Sequence, residues 1–350
     1  MKSLQNRLFE GFFKNAGGMS HPATKEELIK EINIRLDRGQ TNLNDIDTSR
    51  ITDMSFLFQS LNRYPDEIDI SLWDVSNVRD MSCMFNRYDN FNCDLSRWNV
   101  SKVEDMSSMF DGCFNFTSDL SKWNVSSVED MHDMFQNCNN FNSDLSNWDV
   151  HNVTNMYGMF SDCINFSSNL SKWDVSSVKN MEYMFYNCTK FNSDLSKWNT
   201  GRVKDMFGMF TSCANFNSDL SNWNVSRVEN ASFMFEGCVK FSCDLSRWNV
   251  RNISNMTSMF DDCTSFKSDL SKWNTSKVRS TTYMFEGCTN FNSDLSGWDV
   301  SSVESMSYMF YGCTNFNCDL SKWNVRRVQS MSLMFKNSGM KRIPSWYKDY

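Results

Sequence analysis

The sequence is poor in the residues that punctuate ordinary domains, with 3 Pro and 13 Gly in 350 residues. It is also poor in His, which occurs only at His21, His132 and His151, in unrelated surroundings and with no paired Ser or Cys motif. No G-x-G-x-x-G, P-loop or H-E-x-x-H segment is present. No catalytic residue, cofactor or metal set is therefore expected. No apolar run approaches the length needed to cross a bilayer. Within Met1–Ser20, charges at Lys2, Arg7, Glu10 and Lys14 interrupt every apolar stretch, so a secretory signal is not expected and the chain reads as cytoplasmic. An excess of positive charge is lacking too: the net charge of −7 argues against general nucleic-acid binding.

Against these scarcities stand 24 Met, 29 Phe, 12 Trp and 13 Cys, a bias that needs a periodic explanation. Trp recurs at 73, 98, 123, 148, 173, 198, 223, 248, 273, 298 and 323, every step being 25 residues. A Met-Phe pair follows each Trp at a fixed offset, from Met84-Phe85 to Met334-Phe335. A degenerate earlier unit at Ile46, Ile51, Met54 and Leu57-Phe58 aligns with Trp73, Val78, Met81 and Met84-Phe85 at a spacing of 27. Self-similarity at such a period marks a stacked repeat array, in which no unit buries its apolar face alone.

Within one unit, the apolar positions Val103, Met106, Met109, Phe110 and Cys113 are spaced as a helical face. Ser101 and Glu104 form a capping box before it, and Gly112 or its equivalents Asn137, Asn187 and Gly237 suit a left-handed helix end. Arg97-Trp98-Asn99-Val100 alternates out-in-out-in as a short strand does. The expected fold is therefore an α/β repeat solenoid with one short strand and one short helix per coil. Residues 1–45 suit a helical N-terminal cap, with a capping box at Thr24–Glu27 and an apolar face of Leu28, Ile32 and Leu36. The array then spans 46–337, and 338–350, with Gly339, Pro344, Trp346 and Tyr350, suits a C-terminal cap.

The pattern Val-x-x-Met-x-x-Met-Phe-x-x-Cys-x-x-Phe-Asn-x-Asp-Leu-Ser-x-Trp over about 46–337 resembles the BspA-like surface-protein repeats, an outlying branch of the leucine-rich repeats. The resemblance implies a leucine-rich-repeat-like solenoid and a part in adhesion or partner binding at a cell surface. It implies no enzymatic activity.

Several columns have a structural reading. Cys at 113, 138, 163, 188, 213, 238, 263, 288 and 313 shares the inward face with Met and Phe, as a buried free thiol does. Cys83, Cys93, Cys243 and Cys318 complete an odd total of thirteen, which fits a reducing compartment. Asp at 69, 94, 119, 144 and on to 319, broken only by Asn169, would repel its copies by roughly 1 kcal/mol in water. An Asx-turn into the following Leu-Ser, rather than a cation ladder, is the expected remedy. The Asx column after each Trp (Asp74, Asn99, Asn124) is expected to brace adjacent coils, and the basic residues before Trp (Arg97, Lys122, Lys197) to face solvent.

One place varies from coil to coil, and its aromatic residues suit either an interaction patch or the filling of grooves between neighbouring helices. Tyr183, Phe233, Tyr283 and Tyr308 occupy one column, with Tyr157, Phe207, Tyr186 and Tyr311 beside it, where earlier coils hold Cys83, Ser108 and Asp133. Tyr183, Phe207, Phe233, Tyr283 and Tyr308 are the candidate partner-binding residues. The expected function is a non-catalytic scaffold for a protein or glycan partner, with a self-assembling structural element as the alternative.

Overall fold

A computed structural model describes residues 20–349. Met1–Met19 and Tyr350 lie outside them, and with them the reading of the leader and the outer parts of both expected caps. Among the described residues the only α-helix is α1, Lys25–Asp37. Thr24 caps it by accepting from the Glu27 N–H at 3.2 Å, and the Glu27 carboxylate reaches back to the Ala23 N–H at 2.7 Å. Leu28, Ile32 and Leu36 are buried along one stripe, and Gly39, at φ +75°, lets the chain leave in the left-handed conformation.

From there the chain is a stack of coils, paired 27 residues apart at the start and 25 residues apart from Asp80 onward. The expected helix and strand of each unit are both absent. The apolar spacing of three belongs instead to a series of tight turns. The Val103 N–H bonds Val100 O at 2.9 Å, Met109 bonds Met106 at 3.2 Å, Cys113 bonds Phe110 at 2.9 Å and Phe116 bonds Cys113 at 3.0 Å. Each turn begins and ends on an inward residue, which mimics a helical face in sequence. Helix propagation is stopped by left-handed residues such as Ser108 (φ +52°) and Gly112 (φ +77°). Gly112 and Asn137 thus hold the conformation expected of them, but at an ordinary corner rather than a helix end. The Ser101–Glu104 box is also replaced: Ser101 N–H bonds Asn99 Oδ1 at 3.2 Å.

The N–H groups between these turns bond the next coil. Met106, Ser108, Phe110 and Gly112 donate to the carbonyls of Asp130, His132, Met134 and Gln136 at 2.7–3.1 Å. This ladder repeats up the stack, with one parallel pairing per coil through Asp80, Asp105, Asp130, Asn155 and on to Ser330. It runs over 104–112, not over the expected strand at 97–100. That segment does alternate, with Trp98 and Val100 buried and Arg97 and Asn99 exposed, but side chains make its cross-coil bonds. Leu95 N–H donates to Ser118 Oγ at 2.9 Å, and Trp123 Nε1–H to Leu95 O at 3.0 Å.

The core is built of copies. Phe110, Phe135 and Phe160 stack at 5.6–5.7 Å between ring centroids, and Trp148, Trp173 and Trp198 stack at 6.5 Å. Each Cys of the inner column is buried and donates its thiol to a Phe carbonyl of the preceding coil, as Cys163 does to Phe135 O at 2.9 Å. All thirteen Cys are free. At the far end Trp346 stacks on Trp323 at 6.1 Å and donates to Leu320 O at 2.9 Å, which covers the last coil with a shortened copy of the same motif.

Candidate interaction surface

Three Asx-turns fix the polar corners of most coils, the third giving way to Ser280, Ser305 and Ser330 in the last ones. Asp94 Oδ1 accepts from Ser96 N–H at 2.9 Å, Asn99 Oδ1 from Ser101 N–H at 3.2 Å and Asp105 Oδ1 from Ser107 N–H at 2.8 Å. The Asp94 column is held as expected, and exposed members such as Asp119 and Asp294 titrate below the usual carboxylate range because backbone N–H groups solvate the charge. The Asn99 column departs from expectation, since its oxygens serve the local turn rather than the neighbouring coil. The Asp105 turn is a third corner that the repeat pattern gave no reason to separate from the other two.

The ladder segment presents four outward positions per coil, those of Ser107, Ser108, Asp111 and Gly112. The second is left-handed in every coil: Cys83, Ser108, Asp133, Gly158, Tyr183, Gly208, Phe233, Ser258, Tyr283, Tyr308 and Leu333 have φ between +50° and +61°. No Thr, Val or Ile stands among these residues, in keeping with the difficulty of this conformation for β-branched side chains. Large and small alternate here: coils with Gly at this position carry a ring one residue earlier (Tyr157-Gly158, Phe207-Gly208), while Tyr183 and Phe233 follow Glu182 and Ser232. The alternation has a steric cause. A Cβ on Gly208 would lie 2.9 Å from the Tyr183 ring, and one on Gly158 would lie 2.0 Å from Asp133 Oδ1.

The result is a row with one ring per coil over four coils. Tyr157 meets Tyr183 at 5.9 Å, Tyr183 meets Phe207 at 5.0 Å and Phe207 meets Phe233 at 5.2 Å, each ring steeply inclined to the next. Tyr186 joins it edge-on to Tyr183 at 5.7 Å. A second group stacks Tyr283 on Tyr308 at 4.7 Å with Tyr311 alongside at 5.7 Å. The candidates therefore form two groups, Tyr183, Phe207 and Phe233 in one and Tyr283 and Tyr308 in the other, separated by a coil with Thr257 and Ser258. All are half-buried: they lie along the ladder, neither sealed in the core nor fully free of it.

Carboxylates fill much of the remaining face. Burial pushes Asp261 up to about 7, and the nearby Glu286, Asp262 and Glu236 raise it further. Glu236 and Glu286 are raised by the same two causes, burial first and then Asp262. Asp133 is pushed up to about 6 by burial, with His132 opposing and Asp111 and Asp130 adding to the rise.

The Arg97-type basic residues are exposed, as expected. A further basic edge lies beside the ladder, where Lys204, Arg227 and Lys277 line a shallow hollow with Glu229, Asn252 and Ser254. Among the described residues no helix is long and apolar enough to cross a membrane.

Segments 28–146, 105–212, 130–248, 168–270 and 232–346 each match the model of the family described as "Mycoplasma protein of unknown function, DUF285". No curated protein matches the chain. Among solved structures, a leucine-rich repeat protein from Eubacterium ventriosum aligns at 13% identity over 91% of this chain and 89% of that one, with a TM-score of 0.33, too low for the likeness to carry an argument.

Proposed function

We propose, for a chain that belongs to the DUF285 family of Mycoplasma proteins of unknown function, that it is a non-catalytic scaffold which binds a protein partner along the ladder face. The observation that carries the reading is the row Tyr157–Tyr183–Phe207–Phe233. Rings are costly to leave partly in water, and the backbone does not demand them, since Gly, Ser and Asp hold the same left-handed position in other coils. Rigid aromatic side chains are also the commonest anchors of protein interfaces. The resemblance of the repeat to BspA-like, leucine-rich-repeat-like surface proteins supports the same reading, and a surface or adhesive setting would suit it.

The test is affinity capture with the wild type and with a double variant, Phe207→Ser with Phe233→Ser, in parallel. Anchors of this kind are each worth about 2 kcal/mol or more, so capture should fall by well over tenfold while the fold survives. Unchanged capture by a folded double variant would remove the face from consideration. Light scattering over a range of concentrations separates the alternative, because a self-assembling element would grow in mass without any partner.

A further inference from the structure

Apart from His132, which pairs with Asp130 at 2.9 Å, the ladder face carries charge of one sign only. From the coil of Ser107 to that of Gly312, nine coils present four outward positions each, and these hold Asp111, Asp133, Asp162, Glu182, Glu236, Asp261, Asp262 and Glu286. The same positions hold eight aromatic residues and not one Lys or Arg. Cations appear on this face only in the two end coils, as Arg87 and Lys336.

The chain does not lack cations nearby. In the same coils, the adjoining edge carries Lys179, Arg202, Lys204, Arg227, Arg251 and Lys277. Among the described residues none of the eight carboxylates forms an ion pair. Carboxylates that are partly buried and mutually repelling destabilise the stack, as the raised titration of Asp261, Glu236 and Glu286 shows. Basic neighbours one edge away could have relieved them and are kept off the face.

We infer that the ladder face binds an extended polypeptide segment rich in Arg and Lys, its cations over the carboxylates and its guanidinium or aliphatic stems against the rings. This rests on the scaffold reading above and supplies the chemistry of the partner. The order along the stack fits such a ligand. The ring row from Tyr157 to Phe233 is followed by Glu236, Asp261, Asp262 and Glu286, and then by the Tyr283–Tyr308 stack. A cation placed there meets carboxylates in front and aromatic faces on either side. Both attract it, and Arg in particular lays its planar group on a ring. The long dimension of the face follows the coil axis, so an extended chain covers it better than a compact one.

The probe is a labelled decapeptide of alternating Arg and Gln, titrated into the full chain at 0.15 M salt. Two triple variants separate local from net charge, because each removes three negative charges: Glu236→Gln/Asp261→Asn/Glu286→Gln on the face, and Glu104→Gln/Glu129→Gln/Glu304→Gln on the adjoining edge. The first should weaken binding by about tenfold or more and the second by less than about twofold. Asp262→Lys, a single change at an exposed position, should reproduce the loss and serves if the face triple does not fold.

Equal losses from both triples would reduce the effect to net charge, and no loss from the face triple and Asp262→Lys would take the peptide off this face; either overturns the inference. The scaffold reading has its own outcome. If Phe207→Ser with Phe233→Ser abolishes partner capture while the peptide ignores every face variant, the scaffold stands and the cationic partner is wrong.

Discussion

The Trp column and the outward left-handed column run through the same coils and obey different rules. The first is Trp at every position from 73 to 323; the second holds Cys, Ser, Asp, Gly, Tyr, Phe and Leu. Inside, each side chain packs against its own copies above and below, as Trp198 does against Trp173 at 6.5 Å and Trp223 at 6.2 Å. A residue that fits once therefore fits everywhere. Outside, the requirement is a φ near +55°, which Gly158 and Tyr183 both meet at +55°. The fold restricts identity there only where a side chain of the preceding coil leaves room for Gly alone, as at Gly158 and Gly208, so much of what is written on the outside concerns something else.

The comparison breaks most directly at Trp198. Trp198→Ala should cost about 3–5 kcal/mol, because a ring 3% exposed leaves a cavity between two coils and the Leu170 carbonyl loses one of its two donors. Lys197→Ala, at the exposed neighbour, should change stability by less than about 0.5 kcal/mol. Chemical denaturation of the two proteins decides it, and similar midpoints would mean that inside and outside have been confused.

A smaller loss is expected at the polar corners. Asp194 Oδ1 accepts from Ser196 N–H at 2.9 Å. Asp194→Ala should cost about 1 kcal/mol, the usual worth of such a backbone cap, while Asp194→Asn should be nearly silent. The chain already contains that control: Asn169 accepts from Ser171 N–H at 3.0 Å in the same column. Thermal melts of both variants would sharpen the distinction between what the turn needs, an oxygen, and what it does not, a charge.

The ladder face gives a pH dependence of the opposite sign from the corners. Burial lifts Asp261 from 3.8 to about 7, so the folded state holds its proton more tightly than the unfolded chain. Its contribution to stability is therefore best at low pH and declines as pH rises from about 4 to 7. Asp119 and Asp294 are lowered, and their stabilisation is present above 3.8 and fades as pH falls below it. Asp261→Asn should remove part of the decline in melting temperature between pH 5 and 8 and leave the acid limb unchanged. A variant whose pH profile superimposes on the wild type would show that Asp261 is solvated after all.

The least effect on stability is expected where the rings are. Phe233→Gly removes a partly buried ring but also a left-handed conformation that costs a non-glycine residue about 1 kcal/mol. The two should nearly cancel, so the melting temperature should move by a few degrees at most. A drop as large as that of Trp198→Ala would make the rings part of the packing and close the difference between the two columns.

How much of this was legible beforehand depended on the residue. Trp198, Cys163 and Phe160 could be placed inside from their period alone, and α1 from Thr24, its stripe and Gly39. The Asp194 turn followed from one residue type at one offset. The helix and strand of each coil did not follow, because inward residues three apart arise equally from a helix and from successive turns. What separates the two is the φ of Ser108 or Tyr183, and the positive value at these non-glycine residues leaves no mark in side-chain type beyond the absence of Thr, Val and Ile. The candidate rings were visible as residues, but their division into a row and a pair was not, since it depends on which coil holds Gly208 beneath Tyr183.

The sequence by itself determined the repeat, its length and the inward set, because self-packing at a fixed period imposes the same demand on every unit. Only the tertiary structure decided where the backbone of each coil bonds the next. In the regular coils the ladder bonds join residues 24 or 25 positions apart, such as Ser108 and His132 at 2.7 Å. Each donor must choose between its own coil and its neighbour's, and that choice depends on the height of one stacked turn above another.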